Sequence, residues 1–315
     1  MKTLFNQHGG KIDAAVASFG GKKAEWLDLS TGINPNSYPL TKFKKNVWEA
    51  LPDDETFRNI LSAAKLFWNL PTSSSILCSS GASALIALIP FLYTYRTVTI
   101  EGPTYSEHEA SFRNAGFSLV PKDGDVQIVV NPNNPDGRLH LKNKVIKNHR
   151  KLTIIDESFC DTTQENSLAI LTKKPGFIVL KSFGKFWGLG GVRLGFAVGT
   201  KETLDPIKKA LGPWQVSGPA LVIGTQALKD LDWAKETRLK LIDLSARLDK
   251  LMKNYQLIGG TNLFRLYSVG DATSFAEHLA SAKILTRTFD YNRNWIRFGL
   301  PKKELDWKRI QKALN

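Results

Sequence analysis

Long hydrophobic runs are missing from this chain of 315 residues. No apolar stretch reaches the roughly 18 residues that a membrane-spanning helix needs, so no membrane association is expected. The first twenty residues, MKTLFNQHGGKIDAAVASFG, contain no apolar segment of about 7–15 residues of the kind a secretory signal carries. Cysteine is nearly absent: Cys78 and Cys160 stand far apart, in apolar or serine-rich surroundings. They read as buried thiols in a reducing, cytoplasmic compartment rather than as a disulfide. No zinc-ligand spacing, RNP-like strand or helix-turn-helix signature occurs, so neither a metal nor a nucleic acid is expected. The formal net charge of +14 comes from lysines scattered along the chain, among them Lys42, Lys44 and Lys45, Lys208 and Lys209, and Lys302 and Lys303. It reads as a solvated basic surface able to attract small anions.

With repeats and low-complexity linkers also absent, the pattern that remains is that of a globular protein with a large core. Between about Ser74 and Gly199, short apolar runs alternate with amphipathic stretches. The runs are Ile76-Leu77-Cys78, Val98-Thr99-Ile100, Val126 to Val130, Leu152 to Ile155, Phe177 to Leu180 and Gly195 to Gly199. Helical patterns follow several of them, as at Gly81 to Ile89 and Ser106 to Ala115. Mainly parallel strands with helical crossovers are the economical reading, which makes the fold class α/β. From about Pro219 to Tyr255 the chain reads as one long amphipathic helix. Beyond it, short strands such as Leu263 to Tyr267 and Trp295 to Phe298 alternate with helices such as Ser274 to Ser281, which suggests a smaller α+β domain.

Polar residues collect where these strands end, the edge at which open α/β sheets place ligands. Ser182-Phe183-Gly184-Lys185, followed after seven residues by Arg193, sets a hydroxyl, an amine and a guanidinium on glycine-rich backbone. Gly81-Ala82-Ser83 lies between a strand and a helix, where backbone N–H groups can take a phosphate. Tyr105 follows Pro103-Thr104 and can stack on a flat ring, Asn134 ends a strand in a double Asn-Pro turn, and Asp156 ends Leu152 to Ile155. Singly, each has a plain structural explanation: a capped turn, a core tyrosine, turn chemistry, a helix cap. Together they offer a phosphate cradle, a stacking ring, an oxygen donor, a partner for a cationic ring nitrogen and an amine for a Schiff base.

On these residues the chain, from roughly Asp28 to Leu300, resembles the fold-type-I pyridoxal-phosphate enzymes of the class I/II aminotransferase group. The resemblance implies a large domain, residues 36–230, with a mainly parallel sheet and helices on both faces. It also implies a smaller α+β domain, residues 231–315, and an N-terminal arm, residues 1–35, that closes over the active site. Pyridoxal 5'-phosphate is the implied cofactor. Gly81, Ala82 and Ser83 correspond to its phosphate loop, with Ser182 and Arg193 as further phosphate ligands. Tyr105 matches the stacking aromatic, Asn134 the asparagine on the ring oxygen, Asp156 the aspartate on the pyridine nitrogen and Lys185 the Schiff-base lysine. The catalytic set is thus Lys185, Asp156 and Tyr105. Arg297, in Trp295-Ile296-Arg297-Phe298-Gly299, matches the arginine that grips the substrate α-carboxylate, a task suited to a planar fork of donors.

Two departures narrow the group. Phe159 stands where the family usually has a tyrosine that donates to the ring oxygen, and Leu51, before Pro52-Asp53, replaces a tyrosine that reaches a neighbouring subunit's cofactor. The start His8-Gly9-Gly10 and the segment Trp26 to Pro35 resemble the threonine-phosphate decarboxylase branch of cobalamin biosynthesis, kin of histidinol-phosphate aminotransferase. That branch implies decarboxylation of L-threonine O-3-phosphate to (R)-1-amino-2-propanol O-2-phosphate. His8, Asn34 and Arg287 become candidates for the substrate phosphate. Histidinol-phosphate transamination is the alternative, and a homodimer is expected by the same resemblance.

Overall fold

The structure, a computed structural model, describes Phe5 and residues 8–314. These fall into two compact units, one comprising Tyr38–Asn134 and Arg138–Glu236, the other lying within Met1–Ser37, Pro135–Gly137 and Thr237–Asn315.

The first unit is built on a sheet of seven strands among the described residues. Their order is Ser75–Ser79, Gly195–Gly199, Phe177–Ser182, Leu152–Asp156, Val126–Val130, Thr97–Ile100 and Ser118–Leu119. The pairings from Phe177–Ser182 to Ser118–Leu119 are all parallel. Gly195–Gly199 runs against both of its neighbours, so the mainly parallel sheet contains one reversed strand. Val126–Val130 and Leu152–Asp156 are buried at every position, as is Phe177–Ser182 up to Lys181. This is why they appear in the sequence as unbroken apolar runs rather than alternating ones: both faces of the sheet are covered. On one face Leu85 and Ile86, Phe112, and Leu204 and Ile207 come from three helices and join Ile128, Ile154, Ile178 and Leu180 in a single core. On the other, Trp68 packs edge-on against Phe196, ring centroids 5.0 Å apart. Because the central strands share a direction, their carboxyl ends line one edge of the sheet.

Helix starts follow the usual capping chemistry. The side chains of Asp53, Thr200 and Ser217 accept from backbone N–H groups in the first turns of Asp54–Phe67, Lys201–Leu211 and Gly218–Lys229. The single long helix expected from Pro219 to Tyr255 is instead two, Gly218–Lys229 and Leu231–Leu251. Asp230 breaks it. Its carboxylate accepts from Trp233 N at 3.0 Å and from Tyr38 Oη at 3.2 Å, so the residue caps the second helix instead of continuing the first.

In the other unit, an antiparallel sheet has the order Arg287–Phe289, Asn292–Gly299, Phe264–Ser268, Gln256–Thr261. Asp249 is tied to this sheet by Arg265, at 2.9 and 2.7 Å, and by Tyr267 Oη at 2.6 Å. Leu27–Asp28 pairs in parallel with Ile284–Leu285. The Gln256–Thr261 strand was not legible in the sequence, because Gly259 and Gly260 dilute the apolar alternation. It pairs with Phe264–Ser268 across a two-residue turn, and its Gly260 N–H donates to Asp136 O at 2.9 Å.

Candidate active site

One polar corner of the sheet arises where three strands meet side by side. Ser79, Gly195 and Ser182 are in register across the sheet, and the Phe183 N–H donates to Leu194 O at 3.0 Å. The chain leaves Ser79 through Gly81, whose φ of +95° is open to glycine and costly for other residues. An added Cβ at Gly81 would also lie 2.5 Å from Arg193 Nη2. Arg193 itself sits in the left-handed region, φ 53° and ψ 59°, a conformation that costs a non-glycine residue about 1–2 kcal/mol. The backbone twist directs its guanidinium to Ser83 Oγ at 2.9 Å and Gly190 O at 3.0 Å. Gly81, Ala82, Ser83, Ser182 and Arg193 thus form one corner, with the Ser83 and Arg193 side chains open to solvent.

Asp156 ends its strand fully buried. Burial alone would raise its pKa. Hydrogen bonds from His108 Nε2 at 3.0 Å and from Ser158, N at 2.9 Å and Oγ at 2.5 Å, outweigh it and hold the carboxyl below the ordinary value. The acid stays ionised and presents negative charge at the end of the sheet. His108 stands one turn beyond Tyr105 and touches it edge-on at 6.1 Å, so Tyr105, His108 and Asp156 form a contiguous row. The sequence reading missed both His108 and Ser158. The only available signals were the three-residue spacing from Tyr105, one helical face, and the two-residue spacing from Asp156, a local carboxylate turn.

The Asn131 to Asn134 turn is wired to the same place. Asn131 N donates to Asp156 O at 2.8 Å, and Asn131 Nδ2 to Asn166 O at 2.9 Å. Asn133 Nδ2 donates to Pro103 O at 3.0 Å, and Asn133 Oδ1 accepts from Thr104 Oγ1 at 2.6 Å. These bonds lock the loop carrying Tyr105 to the loop carrying Asn134, which is itself buried.

Lys185 lies on a loop held by apolar mass. Phe183, Phe186 and Trp187 are buried; Trp187 stacks on Phe183 at 5.3 Å and on Trp233 at 5.2 Å. The lysine is half-buried, with Nζ 5.5 Å from the centroid of the Phe159 ring. An aromatic face rather than a phenol oxygen therefore borders the amine. Beneath the site runs an ion pair that the sequence reading did not single out: Lys181 Nζ to Glu157 Oε2 at 2.5 Å, both fully buried. Burial opposes charge on Lys181, and the adjacent Glu157 carboxylate overcomes it, raising the lysine pKa.

The candidate substrate residues belong to the other unit. Arg287 and Arg297 face each other in register on neighbouring strands. Arg297 is buried, donates Nη2 to Ser30 O at 2.7 Å and lies 5.0 Å over the Phe264 ring. Burial, then the charge of Arg287, lower its pKa, so the pair favours an incoming anion. Asn34 is buried and its Oδ1 accepts from Asn36 N at 2.9 Å; His8 is exposed.

A parallel sheet ending in a strained arginine, a buried aspartate and a loop lysine defines a fold-type-I transferase scaffold. The model of the family described as aminotransferase class I and II matches residues 122–306. A threonine-phosphate decarboxylase from Pseudomonas aeruginosa is 35% identical over 98% of this chain and 97% of its own length. One from a Sinorhizobium species is 38% identical over the same shares. Among solved structures, histidinol-phosphate aminotransferase from Sinorhizobium meliloti in complex with pyridoxal-5'-phosphate superposes with a TM-score of 0.81. That match, at 17% identity, covers 99% of this chain and 94% of the other. The chain belongs to the class I and II aminotransferase family.

Proposed function

We propose that the protein is a pyridoxal-phosphate-dependent decarboxylase of L-threonine O-3-phosphate, yielding (R)-1-amino-2-propanol O-2-phosphate for cobalamin biosynthesis. The observation that carries this reading is the end-to-end similarity to two threonine-phosphate decarboxylases, at 35% and 38% identity. The donor set fits the cofactor. Gly81, Ala82, Ser83, Ser182 and Arg193 would hold its phosphate, Tyr105 would stack on its ring and Asn134 would meet the ring oxygen. Asp156, kept ionised by His108 and Ser158, would keep the ring nitrogen protonated. When bound, pyridoxal phosphate supplies the electron sink that loss of carbon dioxide from an amino acid requires. The Lys185 amine would hold the cofactor and would be the group that gives a proton to Cα.

Two anions must be anchored on the substrate. Arg297 takes the α-carboxylate, and Arg287 with His8 and Asn34 takes the phosphate. The arginine pair supports a substrate carrying two anionic groups, as threonine phosphate does. These anchors decide which Cα bond is aligned for cleavage. A homodimer is supported by a groove of about 840 Å³ in the larger unit, flanking Arg193 through Gly191 and Val192. Its lining includes Trp48, Leu51 and Trp214, each more than half exposed. The two buried thiols support a cytoplasmic location; among the described residues no helix is long and apolar enough to cross a membrane.

The test is direct. Purified holoenzyme is given threonine phosphate and carbon dioxide is assayed, then histidinol phosphate with 2-oxoglutarate and glutamate is assayed. Carbon dioxide release from the first mixture is expected; glutamate without carbon dioxide would overturn the decarboxylase reading.

A further inference from the structure

Within the smaller unit, Ser30 joins the start of the chain to the buried arginine. Its own N–H and Oγ donate to Asp28 Oδ1 at 2.9 and 2.5 Å. The hydroxyl accepts from Gly10 N–H at 2.8 Å, and the carbonyl accepts from Arg297 Nη2 at 2.7 Å. The residue before it is pinned through both of its backbone polar groups. Leu29 N donates to Leu285 O at 2.8 Å, and Gly299 N donates to Leu29 O at 2.6 Å. Gly9 lies directly on the Ser30 peptide, where an added Cβ would be 2.5 Å from the carbonyl oxygen and 2.8 Å from its carbon. Real Cβ atoms do not approach backbone so closely. A side chain at position 9 must therefore lift the His8-Gly9-Gly10 segment or turn the carbonyl that aims Arg297. The glycine pair and the guanidinium share one pinned residue, through two different atoms of it.

We propose that Ser30 is a positioning residue that fixes the spacing between the His8 anchor and the Arg297 anchor, and so selects substrates by the distance from phosphate to α-carboxylate. The inference rests on the assignment of the carboxylate to Arg297 and the phosphate to His8 made above. Threonine phosphate and serine phosphate present the same number of bonds between the two anions. Homoserine phosphate is longer by one methylene. A fixed spacing accepts the first two and rejects the third, whereas a loosened one loses that preference.

The variants are Ser30→Ala, which removes the acceptor for Gly10 N–H and leaves the carbonyl, and Gly9→Ala, which acts on the carbonyl itself. On holoenzyme, each is expected to raise KM for threonine phosphate about tenfold while kcat stays within about threefold, the signature of lost uniform binding. The preference for threonine phosphate over homoserine phosphate should shrink by about tenfold, the scale of one misplaced methylene. Hydrogen exchange of the peptide spanning residues 8–13 supplies a readout independent of turnover. It should quicken in Ser30→Ala, and also in Arg297→Met, which removes the donor to the Ser30 carbonyl. Unchanged KM and unchanged chain-length preference in both variants would overturn the proposal, as would a fall in kcat equal to the rise in KM. If the wild type acts on no phosphorylated amino acid, the parent reading fails by itself. The coupling then stands or falls on whether Arg297→Met alters exchange at residues 8–13.

Discussion

Lys181→Met tests the physical account of the site from underneath. The lysine and Glu157 are each about 1% exposed, and their charged atoms are 2.5 Å apart. Glu157 also accepts from Ser167 Oγ at 2.7 Å and Leu168 N at 2.5 Å, while Lys181 lies 5.5 Å over the Trp68 ring. Methionine fills the space of the lysine stem and removes only its charge. Glu157 is then left as a buried carboxylate with two hydrogen bonds and no cation. Breaking a buried pair in this way costs about 3–5 kcal/mol. At an m-value of about 3 kcal/mol per M, the urea midpoint should fall by about 1–1.7 M. Adding Glu157→Gln keeps an acceptor for Leu168 N and discards the orphaned charge, so the double variant should recover about 2 kcal/mol or more of the single variant's loss. The assay is urea unfolding followed by tryptophan fluorescence for the wild type, both single variants and the double. A Lys181→Met midpoint equivalent to less than about 1 kcal/mol of destabilisation, or strict additivity in the cycle, would refute the claim that this pair holds the strand ends together. Asp156 and Ser182 adjoin the two charges in sequence, which is why the pair matters to the site.

Two further outcomes are expected. His108→Phe leaves Asp156 buried with only Ser158 as donor, so turnover should drop about 10–100-fold, matching the loss of about 1.5–3 kcal/mol for a hydrogen bond to a charged group. In the wild type, Asp156 has a lowered native pKa, so its contribution to stability is complete above the unfolded carboxyl pKa and disappears as pH falls through the native one. In His108→Phe the native pKa should rise, so that loss should be smaller and complete at a higher pH; an identical acid limb in unfolding curves between pH 3 and 7 would contradict the role given to His108. Burial pushes the Cys78 thiol up to about 12 and that of Cys160 higher still. Native protein should therefore resist iodoacetamide at pH 8, with both cysteines alkylated only after unfolding; rapid labelling of either in the native state would contradict the packing described.

Much of the larger unit is legible in the sequence. Continuous apolar runs at Val126 to Val130 and Leu152 to Ile155 mark strands buried on both faces, and polar residues at their ends mark the ligand edge. Lys185, Asp156, Asn134 and Arg193 were picked out as candidates by residue type and order. Position 230 was not readable as a helix break, because aspartate is tolerated within helices and here leaves only to bond Tyr38 and Trp233. Gln256 to Thr261 was missed because Gly259 and Gly260 weaken its apolar alternation, and it forms by hairpin pairing with Phe264–Ser268.

The sequence by itself determined which chemical groups this protein owns and the strand ends that carry them, since local periodicity and turn chemistry act over a few residues. Only the tertiary structure decided which groups support them. His108 against Asp156, Arg193 in its left-handed turn against Ser83, Lys181 against Glu157 and Ser30 against Arg297 join residues from 24 to 267 positions apart. Such pairs depend on strand order and register, which no local pattern encodes.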